Sequence, residues 1–100
     1  MRRPHLFYFE YAREIVKTLH LAIKSIIKER VESLQDNPHV GKELIEELLG
    51  YRSLAIGNYR IIYRLNKESS NIEIHFIGHR RDVYMNFRKL LEGTKKIMVD

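Results

Sequence analysis

Apolar and polar positions along the 100-residue chain shift their period several times, and each shift marks an element. The run "LFYFEY" (6–11) is short and aromatic-rich, which predicts a first strand. From Ala12 to Gln35 the period turns helical. Ile15, Leu19, Ala22, Ile23, Ile26, Ile27, Val31 and Leu34 recur at spacings of three and four, with charges between them. One unbroken helix of that length would span about 36 Å. A domain of this size has a radius of gyration near ~13 Å, so the helix must break. Leu21 falls off the apolar stripe, which places the break within "KTLHLA" (17–22) and predicts an antiparallel helical hairpin. Asp36-Asn37-Pro38 ends the second helix, because Pro38 cannot continue it and pushes Asn37 out of the α region.

The segment "VGKELIEELLG" (40–50) suits either a short helix or a connector bracketed by Gly41 and Gly50. Strict alternation follows. Leu54 and Ile56 point one way, Ser53 and Ala55 the other. Gly57-Asn58 is a tight-turn signal. In "YRIIYRL" (59–65), Arg60, Ile62 and Arg64 oppose Tyr59, Ile61, Tyr63 and Leu65. After the polar loop "NKESSN" (66–71), "IEIHFIG" (72–78) places Ile72, Ile74 and Phe76 opposite Glu73, His75 and Ile77. "VYMNFRKLLE" (83–92) predicts a short terminal helix, and "GTKKIMVD" a tail. The expected fold is α+β in a single domain over residues 1–100: a small antiparallel sheet packed on an N-terminal helical hairpin, with a short C-terminal helix. The sheet face away from the hairpin should be partly uncovered, and Ser53, Ala55, Arg60, Arg64 and His75 fall on it.

Composition adds little until charge is considered. At 44% hydrophobic and 31% charged residues, the chain has an ordinary globular make-up. It has no cysteine, so it can form neither a disulfide nor a thiolate metal site. No apolar run approaches the ~20 residues that span a bilayer, and "MRRPH" precedes no export-type core, so the expectation is a cytoplasmic protein with no membrane association. The formal charge of +5 points to a polyanion or an acidic protein as partner, provided the cations gather on one face.

Three stretches in order, "LQDNPHVGKEL" (34–44), "GYRSLAIGNYRIIYRL" (50–65) and "IEIHFIGHRRDVY" (72–84), resemble the RelE/ParE superfamily of toxins from toxin–antitoxin pairs. The "GHRRDVY" ending is more similar to the RelE branch than to the ParE branch. The resemblance implies a metal-independent endoribonuclease, needing no cofactor, that enters the ribosomal A site and cleaves mRNA there. A ribose 2′-OH attacks the adjacent phosphate and the 5′-oxygen departs. It implies catalytic roles for Arg60, Arg80 and Tyr84: Arg60 on the phosphate, Arg80 near the leaving oxygen, Tyr84 stacked on or orienting a base. Lys42, Arg52, Arg64, His79 and Arg81 are the further RNA-binding candidates. The implied partners are the ribosome with its mRNA and a cognate RelB-like antitoxin, in a hetero-oligomer expected to be a heterotetramer. The antitoxin would cover the basic face or displace the terminal helix with an acidic segment. At Ser53 and Ala55 the chain departs from the pattern, since relatives carry basic residues there.

Phosphodiester cleavage requires the nucleophile deprotonated, the pentacoordinate dianion stabilised and the leaving group protonated. Guanidinium forks suit the second task and, being always charged, serve proton transfer poorly. His75 and His79 are the acid–base candidates; the plainer role for His79 is a loop histidine bonded to the backbone, and for His75 a half-exposed strand histidine. The histidine spacings match no metal-ligand set. Tyr59 and Tyr63 share a face with Ile61 and Leu65, which assigns them to the core. Three functions stay open: the ribosome-dependent nuclease or a weakened form of it, a ParE-like inhibitor of DNA gyrase, and a nucleic-acid-binding module without chemistry.

Overall fold

The computed structural model describes residues 3–99, with side chains described through Gly93. Its elements follow in the order β1 (His5–Tyr8), α1 (Glu10–Thr18), α2 (Leu21–Ser33), β2 (Lys42–Glu43), a 3₁₀ turn (Glu46–Leu48), β3 (Arg52–Ile56), β4 (Tyr59–Asn66), β5 (Asn71–His79) and α3 (Val83–Val99). The first strand is shorter than the aromatic run suggests. Phe9 is extended, and its N–H makes a sheet bond to the Ile74 carbonyl (2.9 Å) while its own carbonyl accepts from Arg13, opening α1 at Glu10.

The helical break falls at Leu19 and His20, inside the expected window. With no glycine or proline there, the stop is made by extended backbone at both residues, and the His20 ring caps α2 by accepting from the Ala22 N–H at 3.2 Å. The resulting hairpin keeps the radius of gyration at 13.4 Å. Its apolar stripe is narrower than the periodicity implies: Ile27, Val31 and Leu34 are buried, whereas Ala22 and Ile26 face outward.

The five strands form one sheet in the order β1-β5-β4-β3-β2. The β3-β4-β5 run is antiparallel as expected and β2 adds an unexpected antiparallel edge, but β1 joins β5 in parallel, with Leu6 beside Ile72 and Tyr8 beside Ile74. The sheet is therefore mixed. A parallel neighbour needs a long crossover, and the hairpin with everything up to the 66–71 loop supplies it.

Both sheet faces are packed. The hairpin covers Leu54, Ile56, Ile61, Tyr63, Ile72, Ile74 and Ile77 on one side. On the other, α3 buries Val83 and Phe87 against Ile62 and Leu48, so this face is half covered, in keeping with the partly uncovered face expected. The alternation of β4 holds throughout, but that of β5 does not. Ile62 pairs with Phe76 and Tyr63 with Ile74, which leaves His75 as an extra residue. This bulge reverses the phase. Ile77 turns to the hairpin side and Phe76 to the α3 side, the opposite of what unbroken alternation gives. Segment 40–50 resolves as the short edge strand β2 and the 3₁₀ turn. The last helix continues through the expected tail to Val99, since a single glycine costs a helix only about 1 kcal/mol. No helix among the described residues is long and apolar enough to cross a membrane.

Candidate functional site

The half of the second face that α3 leaves open holds a cavity of about 490 Å³ lined by Lys42, Ser53, Ala55, Arg60, Arg80, Arg81 and Tyr84. Four separate pieces of chain build it, and each is held by identifiable bonds. Gly57, at φ 56°, takes the first position of the two-residue loop between β3 and β4, a left-handed conformation that glycine adopts without steric cost. That loop places Arg60 directly opposite Ala55. Its guanidinium Nη1 donates to the Gly57 and Tyr59 carbonyls at 3.0 and 2.9 Å. The Arg80 N–H donates to the Asn58 carbonyl at 2.7 Å, which docks the turn after β5 onto the same loop and brings Arg80 and Arg81 beside Arg60.

Lys42 arrives from the sheet edge. The buried Tyr63 hydroxyl donates to the Pro38 carbonyl (2.8 Å) and accepts from the Gly41 N–H (2.9 Å). Desolvation raises the Tyr63 pKa, so the phenol stays neutral. Arg52 reinforces this clamp by donating to the Gly41 carbonyl at 2.8 Å and the His39 carbonyl at 3.1 Å, and it pairs with Glu43 at 2.9 Å. Lys42 then stands across the ladder from Ser53, where cross-strand side chains lie on one face. Tyr84, on the first turn of α3, places its hydroxyl 2.9 Å from Ser53 Oγ.

The fate of each sequence-assigned residue follows. Lys42, Arg60, Arg80, Arg81 and Tyr84 come together in the cavity. Arg52 does not, because it is bound into the clamp on the 39–43 segment. Arg64 does not, because Glu73 lies opposite it and accepts from its Nε (3.0 Å) and Nη2 (2.8 Å). His79 does not line the cavity; its Nδ1 accepts from the Arg81 N–H at 3.4 Å, the backbone role considered for it. Among the described residues no carboxylate pairs with Lys42, Arg60, Arg80 or Arg81.

His75 lies far from the half-exposed position expected of it. It is 9% exposed, stacked 4.0 Å from the Phe9 ring and met edge-on by Tyr51, with Nε2 3.0 Å from the Glu73 carboxylate. Burial lowers its pKa, against the raising pull of Glu73, so the ring is neutral and donates that bond. Burial pushes Glu73 up, but bonds from Asn66, His75 and Arg64 outweigh it and hold the carboxyl below its usual range. Neither the Arg64–Glu73 pair nor the burial of Glu73 with His75 was legible in the sequence, because the pairing is set by the register of β4 on β5 and the covering rings come from Phe9, Tyr51 and Phe87.

A cavity lined by cations and hydroxyls, with no carboxylate in its wall, presents a positive potential that favours an anion.

Comparison with known proteins shows what the chain is similar to. A family model described as the ParE toxin of a type II toxin–antitoxin system, parDE, matches residues 10–84. Toxin RelG of Mycobacterium tuberculosis is 42% identical over 45 residues, which cover 45% of this chain and 52% of that protein. The match thus spans about half the length of that curated relative. The toxin–antitoxin complex RelBE2 of Mycobacterium tuberculosis contains a chain 30% identical with a TM-score of 0.73; the match covers 79% of this chain and 100% of that one. A substituted form of the E. coli toxin RelE in the free state shares the fold at a TM-score of 0.71, 15% identity, and coverage of 84% and 93%.

Proposed function

The chain belongs to the ParE toxin family of type II toxin–antitoxin systems, within the RelE/ParE superfamily, and on that premise we propose that it is a metal-independent endoribonuclease that cleaves mRNA in the ribosomal A site. The observation that carries this reading is the convergence of Lys42, Arg60, Arg80 and Arg81 with Tyr84 around one cavity, without a neutralising carboxylate.

The chemistry follows from that set. The ribose 2′-oxygen forms a bond to phosphorus as the P–O5′ bond breaks, leaving a 2′,3′-cyclic phosphate and a 5′-hydroxyl. The 2′-OH gives up its proton, and the departing 5′-oxygen gains one. Arg60 and Arg80 hold the non-bridging oxygens and stabilise the dianion, where a fixed cation acts most strongly. Arg81 and Lys42 hold the flanking backbone, and Tyr84 presents its ring to a base. The ribosome contributes orientation of the strand, so the toxin can act with few proton-transfer groups of its own. The implied inhibitor is an antitoxin with an acidic segment that fills the cleft, in the cytoplasm where ribosomes are.

A second reading, inhibition of DNA gyrase without nuclease activity, is favoured by the ParE description of the matching family and by Ser53 and Ala55 at positions where a cation was expected. Inducing the protein in cells and mapping mRNA 5′ ends separates the two. In-frame cuts within codons are expected. Growth arrest with intact mRNA and a DNA-damage response would replace the nuclease reading with the gyrase one.

A further inference from the structure

Ser53 is 5% exposed, and its hydroxyl is committed to Tyr84 across 31 residues of sequence. Tyr84 lines two neighbouring depressions. One is the basic cleft; the other is a trough of about 420 Å³ lined by Lys42, Glu43 to Leu48 and Arg88. Tyr84 and Lys42 are the two residues that both depressions share. The Tyr84 ring is half-buried against the cluster of Leu48, Ile62, Val83 and Phe87, and the bond to Ser53 fixes its hydroxyl end. Among the described residues Ser53 is the hydrogen-bond partner of its hydroxyl.

We propose that Ser53 is a positioning residue that holds Tyr84 upright as the wall of the cleft, so that the ring meets the base beside the phosphate gripped by Arg60 and Arg80. This rests on the nuclease reading above. Serine fits the role because a short hydroxyl both donates and accepts, and because its stem keeps the oxygen close to the strand. Lys42 sits directly across the ladder, so the strand pair still presents a cation beside that hydroxyl. The position gains an orienting bond for Tyr84, and the charge comes from the adjacent strand.

The test uses purified full-length protein and mRNA cleavage on programmed ribosomes, comparing the unmodified chain with Ser53→Ala, Ser53→Thr, Tyr84→Phe and the Ser53→Ala/Tyr84→Phe pair. Ser53→Ala should lower turnover at saturating ribosomes about fivefold, the size of one lost hydrogen bond, with the half-saturating concentration changed by less than about twofold. Ser53→Thr should restore turnover, and the double variant should lose no more than either single one, because both changes cut the same bond. Melting temperatures of the Ala and Phe variants should fall by the few degrees that one lost hydrogen bond costs, the double variant by no more than either single one, with every protein folded at the assay temperature. Losses that multiply in the double variant, or a fully active Ser53→Ala, would overturn the positioning role alone. An unmodified chain that cuts no mRNA would overturn the nuclease reading beneath it.

Discussion

Arg60 and Arg64 project from the same face of β4, yet only Arg60 reaches the cleft. Glu73 stands across the ladder from Arg64 and takes two of its N–H groups, while Ala55 stands across from Arg60 and offers it no carboxylate. The two residues therefore predict different mutant behaviour. Arg60→Ala and Arg80→Ala should each lower ribosome-dependent cleavage about 10²–10³-fold with melting temperature almost unchanged, as expected for lost transition-state charge stabilisation. Arg64→Ala should instead cost about 1–3 kcal/mol of stability, because it strips donors from a mostly buried carboxylate, while activity per folded molecule is kept. Denaturant melts run beside the cleavage assay distinguish these outcomes. Ala55→Arg adds a cation to an open position opposite Arg60 and should raise cleavage; unchanged activity would mean that the cations already present suffice.

The elements that matter most for the site are its least regular ones. Segment 38–41 has no regular secondary structure, and Tyr63 holds it through its hydroxyl bonds to Pro38 and Gly41. A β-carbon at Gly41 would lie 2.5 Å from that hydroxyl and 2.6 Å from the ring. Gly41→Ala should cost about 1–3 kcal/mol, measured by denaturant unfolding, and should weaken cleavage by displacing Lys42. The glycine was legible only as a bracket of the segment, because the atoms that crowd it belong to a tyrosine on another strand. Likewise, Phe76 and Ile77 were assigned to exchanged faces. Alternation is a local rule, whereas the extra residue at His75 exists only relative to β4. Arg52 was misplaced for the same reason: its partners lie on a segment whose path the sequence leaves open.

For the molecule as a whole, the buried Glu73–His75 pair sets a pH dependence of stability. In the fold His75 takes a proton at lower pH than in the unfolded chain, where the ordinary value is 6.5. As pH falls through that value the unfolded chain binds more protons, and stability drops. The lowered pKa of Glu73 contributes stability that is present above its unfolded value of 4.5 and is lost as pH falls through the lower folded one. Melting temperature should thus decline from pH 7 to 5 and more steeply below. His75→Gln should flatten the first part of that decline, and a profile unchanged by this substitution would place its cause elsewhere.

The sequence by itself determined the helical hairpin, the antiparallel run of strands, the two faces of β3 and β4, and the presence of Arg60, Arg80, Arg81 and Tyr84 in a motif of recognisable family. All of these rest on spacing between near neighbours, which the covalent chain fixes. Only the tertiary structure decided that β1 pairs in parallel, that α3 covers half of the second face, that His75 is buried, and which cations stay free. Those outcomes depend on contacts between residues far apart in sequence, and a charge is useful to a phosphate only where no distant carboxylate has reached it first. Ser53 shows the division most plainly: in the sequence it stands as a missing cation, and in the fold its hydroxyl lies 2.9 Å from that of Tyr84.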